Sequence, residues 1–157
     1  MVFVRKPTMK LRSLVLLAAF TAATSAWAQN DQYEKRAIAY AKRIPVSRFD
    51  ASLGGQHLGE WLRATAGAQA KIKWEVNDCG EQTGTASDIG RDFPSCVEAN
   101  AELPDGREIV IRVAVGTFAK GISGSPVLYD AFVQIRDTIQ DVKQLSELPS
   151  ALSSNIR

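Results

Sequence analysis

The chain has 157 residues, of which 45% are hydrophobic and 23% charged; that length suits one domain burying about two thirds of its unfolded surface. Nineteen Lys and Arg oppose seventeen Asp and Glu, for a net charge of +2, but Arg5, Lys6, Lys10 and Arg12 precede Gln29 with no acid among them, which leaves fifteen against seventeen, or −2, in the remainder. This balance excludes a nucleic-acid-binding domain, which needs a basic face on its folded part.

Residues 1–28 read as a secretory signal peptide. A basic start precedes the short apolar run Leu14–Thr24, and Ala26-Trp27-Ala28 forms a small-x-small cleavage site. Met9-Lys10-Leu11-Arg12 is itself an ordinary signal start, so Met1 and Met9 both serve as initiator candidates. The run is too short to span a bilayer, and no later stretch is long and apolar enough. The expected organisation is a signal at 1–28, a single domain at 29–149 and a flexible tail at 150–157. The expected location is periplasmic or secreted.

Cys79 and Cys96 are the two cysteines. An exported chain meets an oxidising compartment, so a disulfide between them is expected. Its short loop gives a stabilisation of about 3 kcal/mol in the chain-entropy model. There is no C-x-x-C spacing, and a single histidine cannot complete a zinc site.

The stretch 31–44 (DQYEKRAIAYAKRI) places Tyr33, Ala37, Tyr40, Ala41 and Ile44 on one helical stripe. Asp31 is placed to cap it, Pro45 to end it, and Lys42 and Arg43 fall in its last turn, where the helix dipole favours cations. A second, short helix is expected over 56–66, with Leu58, Trp61, Leu62 and Thr65 inward and Gly67 as its stop. Gly59 weakens it by about 1 kcal/mol relative to alanine.

Residues 70–77 alternate: Ile72, Trp74 and Val76 face one way, Lys71, Lys73 and Glu75 the other. This is a half-buried strand. The polar stretch 80–94 reads as a loop. Residues 96–117 carry the clearest signal, a β-hairpin turning at Pro104-Asp105-Gly106. If Leu103 faces Arg107, then Ala101 meets Ile109, Ala99 meets Ile111, Val97 meets Val113, and Glu98 faces Arg112 as an exposed pair. Val110 and Ala114 are left on the other face.

A second loop is expected over 120–126. Over 127–145 two periods compete. Val127, Tyr129, Ala131, Val133 and Ile135 recur at spacing two, and Leu128, Phe132, Ile135, Ile139 and Val142 at helical spacing. The β-branched and aromatic content favours a strand, then a turn at Asp137-Thr138 and a second arm over 139–145. Pro149 is expected to end the ordered region. The fold class is α+β, with N-terminal helices packed on a four- or five-stranded antiparallel sheet and one disulfide. That order is similar to cystatin-like folds, an analogy of architecture.

The run 74–84 (WEVNDCGEQTG), with the later Cys96, resembles stretches in small exported bacterial proteins of an uncharacterised family. The resemblance covers part of the chain and implies no functional residue.

His57 is the lone histidine and the first candidate functional residue. As a general base it needs a nucleophile and an orienting acid brought from elsewhere, and Asp50, Ser52 and Asp78 are the available groups. Gly-x-Ser-x-Gly does not occur, and neither does a phosphate-binding loop. Asn77, Asp78, Glu81, Asp88 and Asp92 do not have EF-hand spacing. Apart from the disulfide pair, His57 and Asp78 are the candidate site residues, with no metal or cofactor expected. The expected function is a non-catalytic binding or accessory module whose partner is another envelope or secreted protein. The alternative is a hydrolase using His57.

Overall fold

The computed structural model describes residues 31–79, 95–116 and 126–154. The signal segment, the loop 80–94 with Glu81, Asp88 and Asp92, and the loop 120–125 lie outside the described residues. Contacts divide the chain into Met1–Tyr33 and Glu34–Arg157. Only 31–33 of the first unit are described, and they are helical. The second unit holds the sheet.

Residues 31–43 form helix α1, so Asp31 lies inside the helix and not at its cap. Ala37, Ala41 and Ile44 are buried, as the stripe requires. Helix α2 is Leu58–Ala66, with Leu58, Trp61, Leu62 and Ala66 inward. Gly67 stops it at φ 89°, a left-handed backbone that glycine adopts without a Cβ clash, and its N–H bonds the Arg63 carbonyl.

Five antiparallel strands follow in chain order: β1 Lys71–Asp78, β2 Ser95–Glu102, β3 Glu108–Val115, β4 Val127–Ile135 and β5 Thr138–Asp141. The central hairpin has the expected register, with Ala101 opposite Ile109, Ala99 opposite Ile111 and Val97 opposite Val113. Gly106 closes the turn at φ 83°, and the Leu103 N–H bonds the Arg107 carbonyl at 2.8 Å. One face of the sheet holds Val97, Ala99, Ala101, Ile109, Ile111 and Val133, packed in a single core with Ala37, Ala41, Leu58, Trp61 and Leu62 of the helices. Burial of this face is what stabilises the hairpin, since two strands alone are marginal in water.

Of the two competing periods over 127–145 the strand period holds, with its phase shifted by a bulge. Arg112 pairs with Asp130 and Val113 with Leu128, so Tyr129 is the extra residue on β4. Before the bulge Leu128 packs on the main core, whereas Val127 and Tyr129 pack on Ala114 and the two cysteines. Strict alternation from 127 to 135 is therefore corrected. The turn after β4 is at Arg136-Asp137, one residue earlier than expected, and Arg136 takes φ 51°. The second arm is short: Val142 still bonds the Ala131 carbonyl at 2.8 Å, but Leu145–Glu147 is a turn of 3₁₀ helix.

Pro149 does not end the ordered chain. Leu148–Ser153 is a third helix, α3, with the proline in its first turn, where its missing N–H would have no intrahelical partner. Leu148 and Ala151 are buried. The Arg107 guanidinium donates to the Leu152 carbonyl and so ties the hairpin turn to α3. The Arg107 side chain is held in place by Asp105, which accepts its Nε–H at 2.8 Å.

Candidate functional site

Three segments build a groove beside the edge strand. The connector between α1 and α2 closes on itself at its base. Pro45 bridges His57, Val46 N–H bonds the Gln56 carbonyl at 2.9 Å, and Leu58 N–H bonds the Ile44 carbonyl at 2.8 Å. The start of α2 is thus held beside the end of α1. At the crossing, a Cβ on Gly59 would lie 3.2 Å from Lys42 Cβ and 3.3 Å from the Lys42 carbonyl oxygen. The glycine that costs α2 some helix propensity is what lets the helices approach so closely.

β1 is the sheet's edge, so its inward side chains are covered less well than those of its neighbour. Ile72 and Trp74 are half-buried, while Ala101 and Ala99 opposite them are buried. The space left between helices and edge is a groove of about 590 Å³ lined by Lys42, Arg43, His57, Gly59, Glu60, Arg63, Ile72 and Trp74.

Its electrostatics are one-sided. Lys42 Nζ lies 5.3 Å from the centroid of the Trp74 ring, a cation–π contact worth about 0.5–1 kcal/mol at an exposed site. Arg63 donates to the Ala70 carbonyl at 2.5 Å, which fixes its guanidinium at the entry to β1. Arg43 is exposed and makes no ion pair among the described residues. Among the described residues Glu60 is the one carboxylate in the lining, 3.7 Å from His57 Nδ1. Three permanent cations, an aromatic face and the positive end of the α2 dipole favour an anion that carries some apolar surface.

His57 and Asp78 are not brought together. His57 lines the groove on the helix-covered side of β1. Asp78 lines a separate cleft of about 320 Å³ with Asn77, Cys79, Cys96, Glu98, Arg112 and Tyr129. Cys96, Glu98 and Arg112 belong to the sheet face opposite the main core, so the sheet lies between the two sites. Asp50 and Ser52 are engaged elsewhere. One Asp50 oxygen accepts Ser52 N–H at 3.0 Å and Ser52 Oγ–H at 2.6 Å, and the other accepts Ser146 N–H at 2.9 Å. Among the described residues, none lining the groove carries a hydroxyl or thiol. Among the described residues no three His, Cys, Asp or Glu side chains gather as a metal site.

The second cleft is built on the disulfide. Cys79 and Cys96 are bonded, with Cα atoms 4.9 Å apart, and tie the end of β1 to the start of β2. Tyr129 Oη donates to the Cys79 carbonyl at 2.8 Å. Arg112 lies between two acids, 2.6 Å from Glu98 and 3.6 Å from Asp130. The Glu98 side chain is only 12% exposed, which corrects the expectation of an exposed pair. Burial pushes the Asp130 carboxyl above the usual carboxylate value, against the pull of Arg112.

Lys42, Arg43, Arg63 and Trp74 were not singled out by the sequence as site residues. Their signals were present as helix-end cations and an inward strand aromatic, but their convergence depends on the crossing at Gly59. No protein-family model, curated protein or solved structure matches the chain.

Proposed function

We propose that this chain is an exported, non-catalytic binding module, acting in the periplasm or outside the cell. It takes an anionic segment of another envelope or secreted protein in the groove between α1, α2 and β1. The observation that carries the reading is Lys42 held over the Trp74 ring with Arg43 and Arg63 around it. Such a lining neutralises carboxylates and offers a flat apolar floor for the chain between them. Export is supported by the basic, apolar and small-residue pattern of 1–28 and by a disulfide suited to an oxidising compartment.

The test is a titration of the full chain with acidic and basic peptides of equal length, followed by Trp fluorescence, for wild type and a Lys42→Glu, Arg43→Glu variant. Both residues are exposed, so the variant should fold. Saturable binding of the acidic peptide alone, weakened by added salt and lost in the variant, is expected. Binding indifferent to the reversal would refute the groove. Hydrolytic turnover that disappears in His57→Ala would replace the module with an enzyme.

A further inference from the structure

The free side of β1 has features that the groove alone does not use. Among the described residues no strand pairs with the outer side of β1 over 71–77. It runs for eight residues, against four for β5 at the other edge. Long unpaired edges invite strand addition, and proteins usually shorten or cover them. Here, among the described residues, the edge is long and borders the cationic groove.

We infer that the occupant of the groove is an extended acidic segment of the partner that adds to β1 as a sixth strand. This rests on the reading of the groove as an anion-binding site and specifies the partner's conformation and pattern. An added strand projects alternate side chains to opposite faces of the sheet. One row lies against Ile72 and Trp74, under Lys42, Arg43 and Arg63. Glutamate suits that row: its methylenes cover the indole and its carboxylate reaches the cations. The other row lies beside Lys71 and Lys73, whose side chains are 82% and 76% exposed. Their present partners, Glu102 at 3.7 Å and Glu75 at 2.6 Å, form solvent-screened surface pairs, so small polar residues fit there.

A second copy of this chain fits less well. Joining two β1 edges antiparallel sets both helix layers on the same side of the continued sheet. It brings Lys42, Arg43 and Arg63 of one copy toward the same three residues of the other, and like charges opposed at an interface cost affinity.

The probe is a peptide alternating glutamate and threonine over the eight residues of β1, made also with N-methyl groups on alternate residues in both frames. N-methylation removes backbone donors from one side of a strand at a time. Strand addition requires that one frame lose about tenfold or more in affinity, the equivalent of a backbone hydrogen bond or more, while the other binds. It also requires that amide hydrogen exchange slow at alternate residues within 72–76. If both frames bind alike and β1 exchange is unchanged, while Lys42→Glu with Arg43→Glu still weakens binding, strand addition is overturned and the anionic groove stands. If the unmodified peptide does not bind, or binds equally to that variant, both readings fail. A dimer of the chain that the peptide cannot displace, with β1 amides already protected, would assign the edge to a second copy and overturn the inference.

Discussion

The carboxylate of Asp50 accepts the backbone N–H of Ser146 at 2.9 Å, joining segments 96 residues apart in sequence. Ser146 and Ser52 together hold this carboxyl well below its ordinary value of 3.8. A group whose folded pKa is depressed contributes stability above its unfolded pKa, and loses it as pH falls through the folded value. Asp50→Asn should therefore lower the melting temperature at neutral pH, and the gap to wild type should narrow as pH falls below 3.8. Thermal melts of both proteins across that range check this; a gap independent of pH would contradict it.

Ile111 and Arg112 are adjacent on β3 and point to opposite faces. Ile111 is fully buried, and Ile111→Ala should cost about 2–5 kcal/mol. Arg112→Ala should cost about 1–3 kcal/mol, because it leaves the nearly buried Glu98 without its charge partner. Adding Asp130→Asn to Arg112→Ala should recover part of the loss by removing one of the two acids left facing each other. Urea melts of the three variants measure these differences, and an Arg112→Ala loss near zero would mean the pair is solvated.

Non-reduced peptide mapping of the protein should yield Cys79 linked to Cys96, and two free thiols would be the contrary result. Replacing both by alanine should destabilise by about 3 kcal/mol. Tyr129→Phe removes the hydrogen bond to the Cys79 carbonyl and should cost about 0.5–1.5 kcal/mol, readable in the same melts.

His57→Ala should weaken binding of the acidic peptide less than loss of Trp74 does, since the imidazole is exposed at the groove margin and faces Glu60 across 3.7 Å. Trp74→Ala should weaken binding of the acidic peptide by about tenfold, through loss of the aromatic floor and of the surface on which Lys42 rests. Calorimetric titrations at low and moderate salt separate the two. Equal losses for His57 and Trp74 would mean that the imidazole contacts the ligand.

The sheet was legible where pattern and turn chemistry agreed. Pro104-Asp105-Gly106 and period two pointed to one register, and every expected pair of the hairpin is present. β4 was ambiguous for a physical reason. A bulge at Tyr129 shifts the inward set by one residue, so the sequence carries one phase before the bulge and the other after it. α3 is hidden in the sequence because proline ordinarily stops a helix, although in a first helical turn it is tolerated. The Asp50 anchor was invisible because its partner is a backbone amide, and any residue but proline supplies one. His57 was noticed because it is unique, whereas the cations and Trp74 that define the groove looked like ordinary helix-end and strand residues until Gly59 brought α2 against α1.

Because the strands are ordered β1 to β5 as they occur in the chain, each finds its partner in the next segment, and the entropy lost in closing each connection is small. Such a sheet can zip in sequence without waiting for the chain ends to meet. The hydrogen bond from Ser146 to Asp50 is different: it closes 96 residues and gains little until the sheet has brought both ends near. Substitutions at Asp50 should accordingly speed unfolding and leave the folding rate almost unchanged, whereas Ile111→Ala in the central hairpin should slow folding.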